Sequence, residues 1–200
     1  GKTTLIYELA KELESVGKRV IVTTTTHMLR PKNEWELLHT VGVPCEEEPE
    51  KIRGLSEEEY RKLKTQCDVL LVEADGAKRK PLKVPAEHEP VIPEDTDMVI
   101  GIAGASAIGR TIKAGCHRGE LVGELLGKKL SEILTEEDVM TILKSKAGQK
   151  KHVKQKYRMV IGQADLLTQE QVEKFKKEQG ICLYSRKGGA DTNGENIGIS

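Results

Sequence analysis

Gly1-Lys2-Thr3-Thr4 runs straight into Leu5, Ile6, Leu9, Ala10, Leu13 and Val16, apolar residues at helical spacing that Gly17 brings to a stop. A helix that opens this way carries its lysine and threonine in the first turn. There the unpaired N–H groups and the helix dipole favour an anion. The same tetrapeptide closes a phosphate-binding loop of the form G-x-x-x-x-G-K-[ST]. In such loops backbone N–H groups wrap the phosphates, the lysine reaches the outer phosphates and the hydroxyl ligates Mg²⁺. A strand and the front half of the loop are therefore expected ahead of Gly1, which is not expected to be the native start.

The rest of the chain alternates strand and helix signals. Val20–Thr25 is a β-branched run, and Val69–Val72 is a continuous apolar run ending in Glu73-Ala74-Asp75-Gly76. A short helix is predicted over Trp35–Val41, and Ser56-Glu57-Glu58-Glu59 opens another with a capping box. Gly76–Pro93, rich in proline and charge, reads as loop. Met98–Ala103, Met159–Gly162 and Ile181–Tyr184 read as further strands. Helices are expected over Gly119–Ile133, Glu136–Lys144 behind the cap Thr135, and Gln169–Gln179. The lysine- and glutamine-rich stretch from 144 to 156 reads as a solvated connector. This alternation predicts one α/β domain over residues 1–200, truncated at its N-terminus: a three-layer P-loop NTPase-like parallel sheet with helices on both faces. Ligands of such sheets lie at the carboxyl ends of the strands.

Composition narrows the function classes. The chain has 32 basic and 32 acidic residues, so no net charge draws it to nucleic acid or to a membrane surface. One tryptophan and one phenylalanine do not make a base-stacking platform. No stretch approaches the roughly 20 apolar residues of a membrane span. Cys45, Cys67, Cys116 and Cys182 are widely spaced and form no C-x-x-C pair, as expected for reduced, mostly buried thiols in a cytoplasmic protein.

Candidate chemistry falls directly after the strands. Gly1, Lys2, Thr3 and Thr4 are the phosphate side of a nucleotide site, with Thr3 a metal ligand and Lys2 neutralising charge during phosphoryl transfer. Glu73 follows the apolar strand directly and is favoured as the metal-side acid opposite Thr3. Asp75 is the alternative, holding Mg²⁺ through water or positioning an attacking water. Thr25 ends the second strand, at the edge where a phosphate or a metal-bound water would lie. His27 is a weaker candidate as a base. Asp165, in Gly162-Gln163-Ala164-Asp165, keeps the aspartate of an N-K-x-D guanine motif but not its asparagine or lysine. Ser185-Arg186-Lys187 falls where a base-contacting turn would follow. Mg²⁺ with GTP or ATP are the expected cofactors, GTP ahead of ATP; the competing role for Asp165 is an N-cap on the next helix. In the loop, Lys78, Lys80 and Lys83 suit an anionic ligand, and Glu87, His88 and Glu89 a metal or cation. Arg118, beside His117, is a further candidate for phosphate.

The string from Val72-Glu73-Ala74-Asp75-Gly76-Ala77-Lys78 through Pro81-Leu82-Lys83-Val84-Pro85-Ala86-Glu87-His88-Glu89-Pro90-Val91-Ile92-Pro93 resembles the YqeC-like family. The resemblance extends to Val22–Met28, Gly101–Gly109, His117-Arg118 and the strand leading to Asp165. Members of that family are described as accessory proteins of selenium-dependent molybdenum hydroxylases. The resemblance implies a P-loop NTPase-like fold and a part in maturing such a hydroxylase or its cofactor. It also implies site roles for Glu73, Asp75, Lys83, Glu87, His88 and Glu89. The missing loop front and Gly162 in place of an asparagine depart from the full nucleotide pattern.

Three functions compete on these residues. The first is an NTP-driven accessory enzyme in which Lys2, Thr3 and Glu73 hold nucleotide and Mg²⁺, and hydrolysis moves the Gly76–Pro93 loop. The second is a delivery module for an anionic cofactor or a selenium species, with nucleotide only regulatory. The third is a kinase or nucleotidyltransferase. Whether the chain is an enzyme, its oligomeric state (a dimer among the options) and its client protein stay open at this level.

Overall fold

The computed structural model describes residues 1–185, and they divide into two compact units with separate apolar cores. One unit comprises Lys2–Gly76 and Glu89–Ile92. Its elements are α1 (Lys2–Ser15), β1 (Val20–Thr24), β2 (His27–Leu29), α2 (Glu34–His39), β3 (Val43–Pro44), β4 (Lys51–Arg53), α3 (Glu57–Lys64) and β5 (Val69–Glu73). The apolar stripe of α1 buries Leu5, Tyr7, Leu9 and Ala10. β1 and β5 pair in parallel, Val20 opposite Val69 through Thr24 opposite Glu73. That register brings the ends of both strands level. Antiparallel pairing of β2 and β3 on either side of β4 makes a second, three-stranded sheet. It buries Met28 and Ile52 against Tyr7, Ala10, Val20 and Val22.

The other unit contains Ala77–His88 and the described chain from Pro93 onward. It holds β6 (Leu82–Lys83), β7 (Met98–Gly104), α4 (Ile112–Gly115), β8 (Cys116–His117), α5 (Gly119–Leu126), α6 (Glu136–Lys144), β9 (Lys156–Gly162), α7 (Gln169–Lys176) and β10 (Ile181–Tyr184). β9 is the middle of a parallel sheet, between β10 and β7. Leu134, Val139, Ile142, Leu143, Ile161 and Phe175 are its fully buried centre. The chain is thus a mixed α/β protein with parallel strands, and these lie in separately hydrogen-bonded sheets within each unit.

Most predicted elements form, with three corrections. The helix expected over Gly119–Ile133 stops at Leu126, because Gly127 adopts the left-handed conformation (φ 66°) and closes it. The loop Gly76–Pro93 contains a strand, β6, paired in parallel with β8. The stretch after α6 is no free connector. Gln149 accepts from the Ile102 N–H and donates to the carbonyl oxygens of Ile102 and Lys83, which ties it to β7 and β6.

Gly148 shows how closely that stretch is seated. A Cβ there would stand 2.2 Å from the Ile142 carbonyl oxygen, a backbone atom that cannot give way without disturbing the end of α6. Gly148→Ala is expected to lower the unfolding free energy by about 1–3 kcal/mol. Urea denaturation checks this, through a lower midpoint at unchanged slope.

Candidate functional site

Three hydrogen bonds converge on Glu73 at the end of the β1–β5 pair. Thr3 lies in the first turn of α1, and its hydroxyl donates to the Glu73 carboxylate, Oγ1 to Oε2 at 2.9 Å. Thr24 ends β1, and its hydroxyl donates to the Glu73 carbonyl oxygen at 2.8 Å. The Thr25 N–H donates to that same carbonyl at 3.2 Å. The Glu73 carbonyl is therefore held by two donors from the end of β1 while its side chain points at the start of α1. The polar tail of the β-branched run supplies this clamp.

Glu73 is only 9% exposed. Burial disfavours its charged form and raises its pKa; the Thr3 hydroxyl and the Lys2 ammonium pull the other way, and Asp75 adds repulsion. The result is an incompletely compensated carboxylate beside a helix N-terminus, whose ionised form gains from any cation placed beside it. A hydroxyl and a carboxylate are oxygen donors, the donor type of hard divalent ions such as Mg²⁺. The residues present fit such an ion, with Thr3 and Glu73 as the holders.

Lys2, Thr3, Thr4, Thr25, Glu73, Asp75 and Glu89 all belong to this unit. The Thr25 hydroxyl donates to the Val91 carbonyl oxygen (2.7 Å), and the Val91 N–H donates to the Ala74 carbonyl oxygen (3.1 Å). Thr25 therefore fastens the segment Glu89–Ile92 to the strand ends. Gly1 directly precedes α1. Thr24 was not anticipated as part of the site. Its position at the end of the β-branched strand, directly before the Thr25-Thr26 turn, is the signal that marks it.

Lys78, Lys83, Glu87, His88, Arg118 and Asp165 belong to the other unit. Lys78 is exposed, with positive φ (45°), in a turn that Lys80 closes. Lys83 lies on β6 opposite His117 and is 1% exposed, so a ligand meets it only by entering the interior. Glu87 and His88 are exposed. The Glu87 carbonyl oxygen is 2.9 Å from the His152 ring, and the Ala86 carbonyl accepts from Lys151. Arg118 is the N-cap of α5 in the left-handed conformation, without a side-chain cap bond. Asp165 is exposed in a 3-10 turn; Thr168, not Asp165, caps α7. Arg186 and Lys187 lie outside the described residues. All four cysteines are free thiols, with Cys45 and Cys116 buried and Cys67 and Cys182 half-buried. Among the described residues no helix is long and apolar enough to cross a membrane.

Comparison with known proteins gives two matches. A family described as "YqeC protein" matches residues 1–120. The chain is also similar to a protein of Escherichia coli (strain K12) named "Uncharacterized protein YqeC", 31% identical over 180 residues, which covers 80% of this chain and 70% of that one. No solved structure matches.

The raised Glu73 pKa has a sign that can be checked. The folded state holds this proton to higher pH than the unfolded chain. Stability from this group is full below the ordinary glutamate pKa of about 4.3 and is lost as pH climbs through the raised value. Glu73→Gln removes the charge, so the unliganded variant is expected to melt above the wild type at pH 7. The gap should close as pH falls toward about 4. A gap that widens on acidification would contradict the assignment.

Proposed function

This chain belongs to the YqeC family, and on that premise we propose that it binds a nucleoside triphosphate with Mg²⁺ at the start of α1 and hydrolyses it. In this reading the unit of Lys2–Gly76 is a P-loop NTPase-like fold, and the activity serves the maturation of a selenium-dependent molybdenum hydroxylase. What carries the reading is the hydrogen bond from the Thr3 hydroxyl to the buried Glu73 carboxylate. A helix that merely starts on Gly-Lys-Thr has no need of a sequence-distant, desolvated acid against its first turn.

Each residue then has a physical task. The α1 N-terminus and the Lys2 ammonium attract the phosphates. Lys2 neutralises charge on the outer phosphates, which matters because positioning and charge stabilisation dominate phosphoryl transfer. Mg²⁺, when bound, supplies further neutralisation of the phosphate oxygens. Thr3 and Glu73 present oxygen donors toward it. The two donations onto the Glu73 carbonyl keep the strand end from shifting when the carboxylate changes partner. Asp75, two residues on, is the candidate for orienting an attacking water. Glu89–Ile92, fastened through Thr25 and Ala74 to the same strand ends, is the part of the loop best placed to respond to what these ends hold.

The test is turnover by the full-length protein. Mg²⁺-dependent release of phosphate is expected from GTP or ATP, the ratio of the two kcat/KM values deciding the base. Lys2→Ala should cut kcat by about 100-fold or more, the loss typical for removing a charge-stabilising donor. No turnover together with no tight nucleotide binding would remove this reading.

A further inference from the structure

A second donor cluster lies in the same unit, built on the small antiparallel sheet and not on the β1–β5 pair. His27 opens β2 opposite Arg53, and Cys45 directly follows β3, its N–H donating to the Lys51 carbonyl oxygen at 3.2 Å. Glu48 sits in the turn that leads into β4, where its carbonyl oxygen accepts from the Lys51 N–H at 2.8 Å. One ligand atom each from the His27 ring, the Cys45 thiol and the Glu48 carboxylate lie within 4.8 Å of one another. We propose that His27, Cys45 and Glu48 form a zinc site, with water as its fourth ligand.

The donor set decides the metal. Imidazole and thiolate are poor partners for Mg²⁺ and good ones for Zn²⁺, which accepts nitrogen, sulfur and carboxylate oxygen in one tetrahedral shell. With Zn–S near 2.3 Å and Zn–N and Zn–O near 2.1 Å, tetrahedral ligand atoms sit roughly 3.3–3.6 Å apart. Closing the triangle from 4.8 Å needs small side-chain rotations, and two of the three groups have room for them. His27 is exposed and Glu48 half-buried, while Cys45 is buried and fixed by its backbone bond. The fixed thiol faces two adjustable ligands, and the exposed side is open to water. Three protein ligands plus water is the arrangement of zinc sites that keep an exchangeable position.

Lys51 competes for Glu48, since its ammonium is ion-paired to that carboxylate. The pair is three residues apart and partly solvated, so it yields readily to a divalent ion. The cysteine is placed for ligation in a further respect. Metal binding deprotonates a thiol outright, and burial keeps the bound thiolate from oxidation. The proposal is independent of nucleotide: none of its three residues takes part in the Thr3–Glu73 contact.

The test uses nucleotide-free full-length protein. Zn²⁺ is titrated against a chromophoric chelator, and Co²⁺ is followed by absorption spectroscopy. One equivalent of Zn²⁺ is expected, undisplaced by excess Mg²⁺, with a thiolate-to-cobalt charge-transfer band for Co²⁺. Cys45→Ser should abolish that band. His27→Ala should keep the band but weaken Zn²⁺ binding by more than the roughly 10–100-fold that loss of an outer partner costs. Cys67→Ser and Glu73→Gln should change neither reading. If Cys45→Ser does not fold, His27→Ala and Glu48→Gln decide the matter, since both side chains reach solvent. Absence of stoichiometric binding, or affinity unchanged in His27→Ala and Glu48→Gln, would overturn the site.

Discussion

The Thr3–Glu73 hydrogen bond is the contact on which the functional account depends. It links the first turn of a helix to the end of a strand far along the chain, and it exists only because two local preferences agree. The apolar stripe of α1 seats that helix on the β1–β5 pair, and the parallel register sets Thr24 level with Glu73. The carboxylate is then buried without full compensation. A buried acid of this kind costs stability unless its charge is answered. Its persistence at a helix N-terminus beside a lysine argues for a role that needs a partly desolvated anion.

The second unit has a different character. Its centre is the parallel set β10–β9–β7 with α6 and α7 supplying Val139, Ile142, Leu143 and Phe175 to a closely packed core. The conspicuous polar member of that interior is Lys83, fully enclosed on β6. A long cationic side chain kept inside is costly unless paired, so the basic cluster seen in the sequence splits into two kinds of residue. Lys78 is at the surface, Lys80 donates to the Ala114 carbonyl oxygen, and Lys83 is enclosed in the interior.

Much of this was legible beforehand where one strong local signal operates. The helical period after Thr4, the β-branched run before Thr25, the apolar run before Glu73, the capping box at Ser56 and the cap at Thr135 all produced their elements. The convergence of Thr3 with Glu73 was legible too, since a Gly-Lys-Thr helix start and an acid directly after an apolar strand are the two sides of one phosphate–metal pattern. The β2–β4–β3 sheet was not. Its strands are two or three residues long, too short for alternation to register, and β2 meets β4 only after the chain has passed through α2 and β3. The grouping of His27, Cys45 and Glu48 is hidden for the same reason. Burial of Lys83 defies composition, because a charged residue inside a proline-rich segment reads as solvated until β6 pairs with β8. The early end of α5 turned on Gly127, where the left-handed conformation outweighs the apolar residues beyond it.

The central claim is most directly tested by removing one hydroxyl. Thr3→Val keeps the shape of the helix start and the charge of Lys2 but cannot join Glu73 in holding an ion. Nucleotide affinity of the full-length protein is measured by calorimetry with and without Mg²⁺. The wild type is expected to bind more tightly with the ion present, and Thr3→Val to show the same affinity in both conditions. An equal Mg²⁺-linked gain in both proteins would contradict the account.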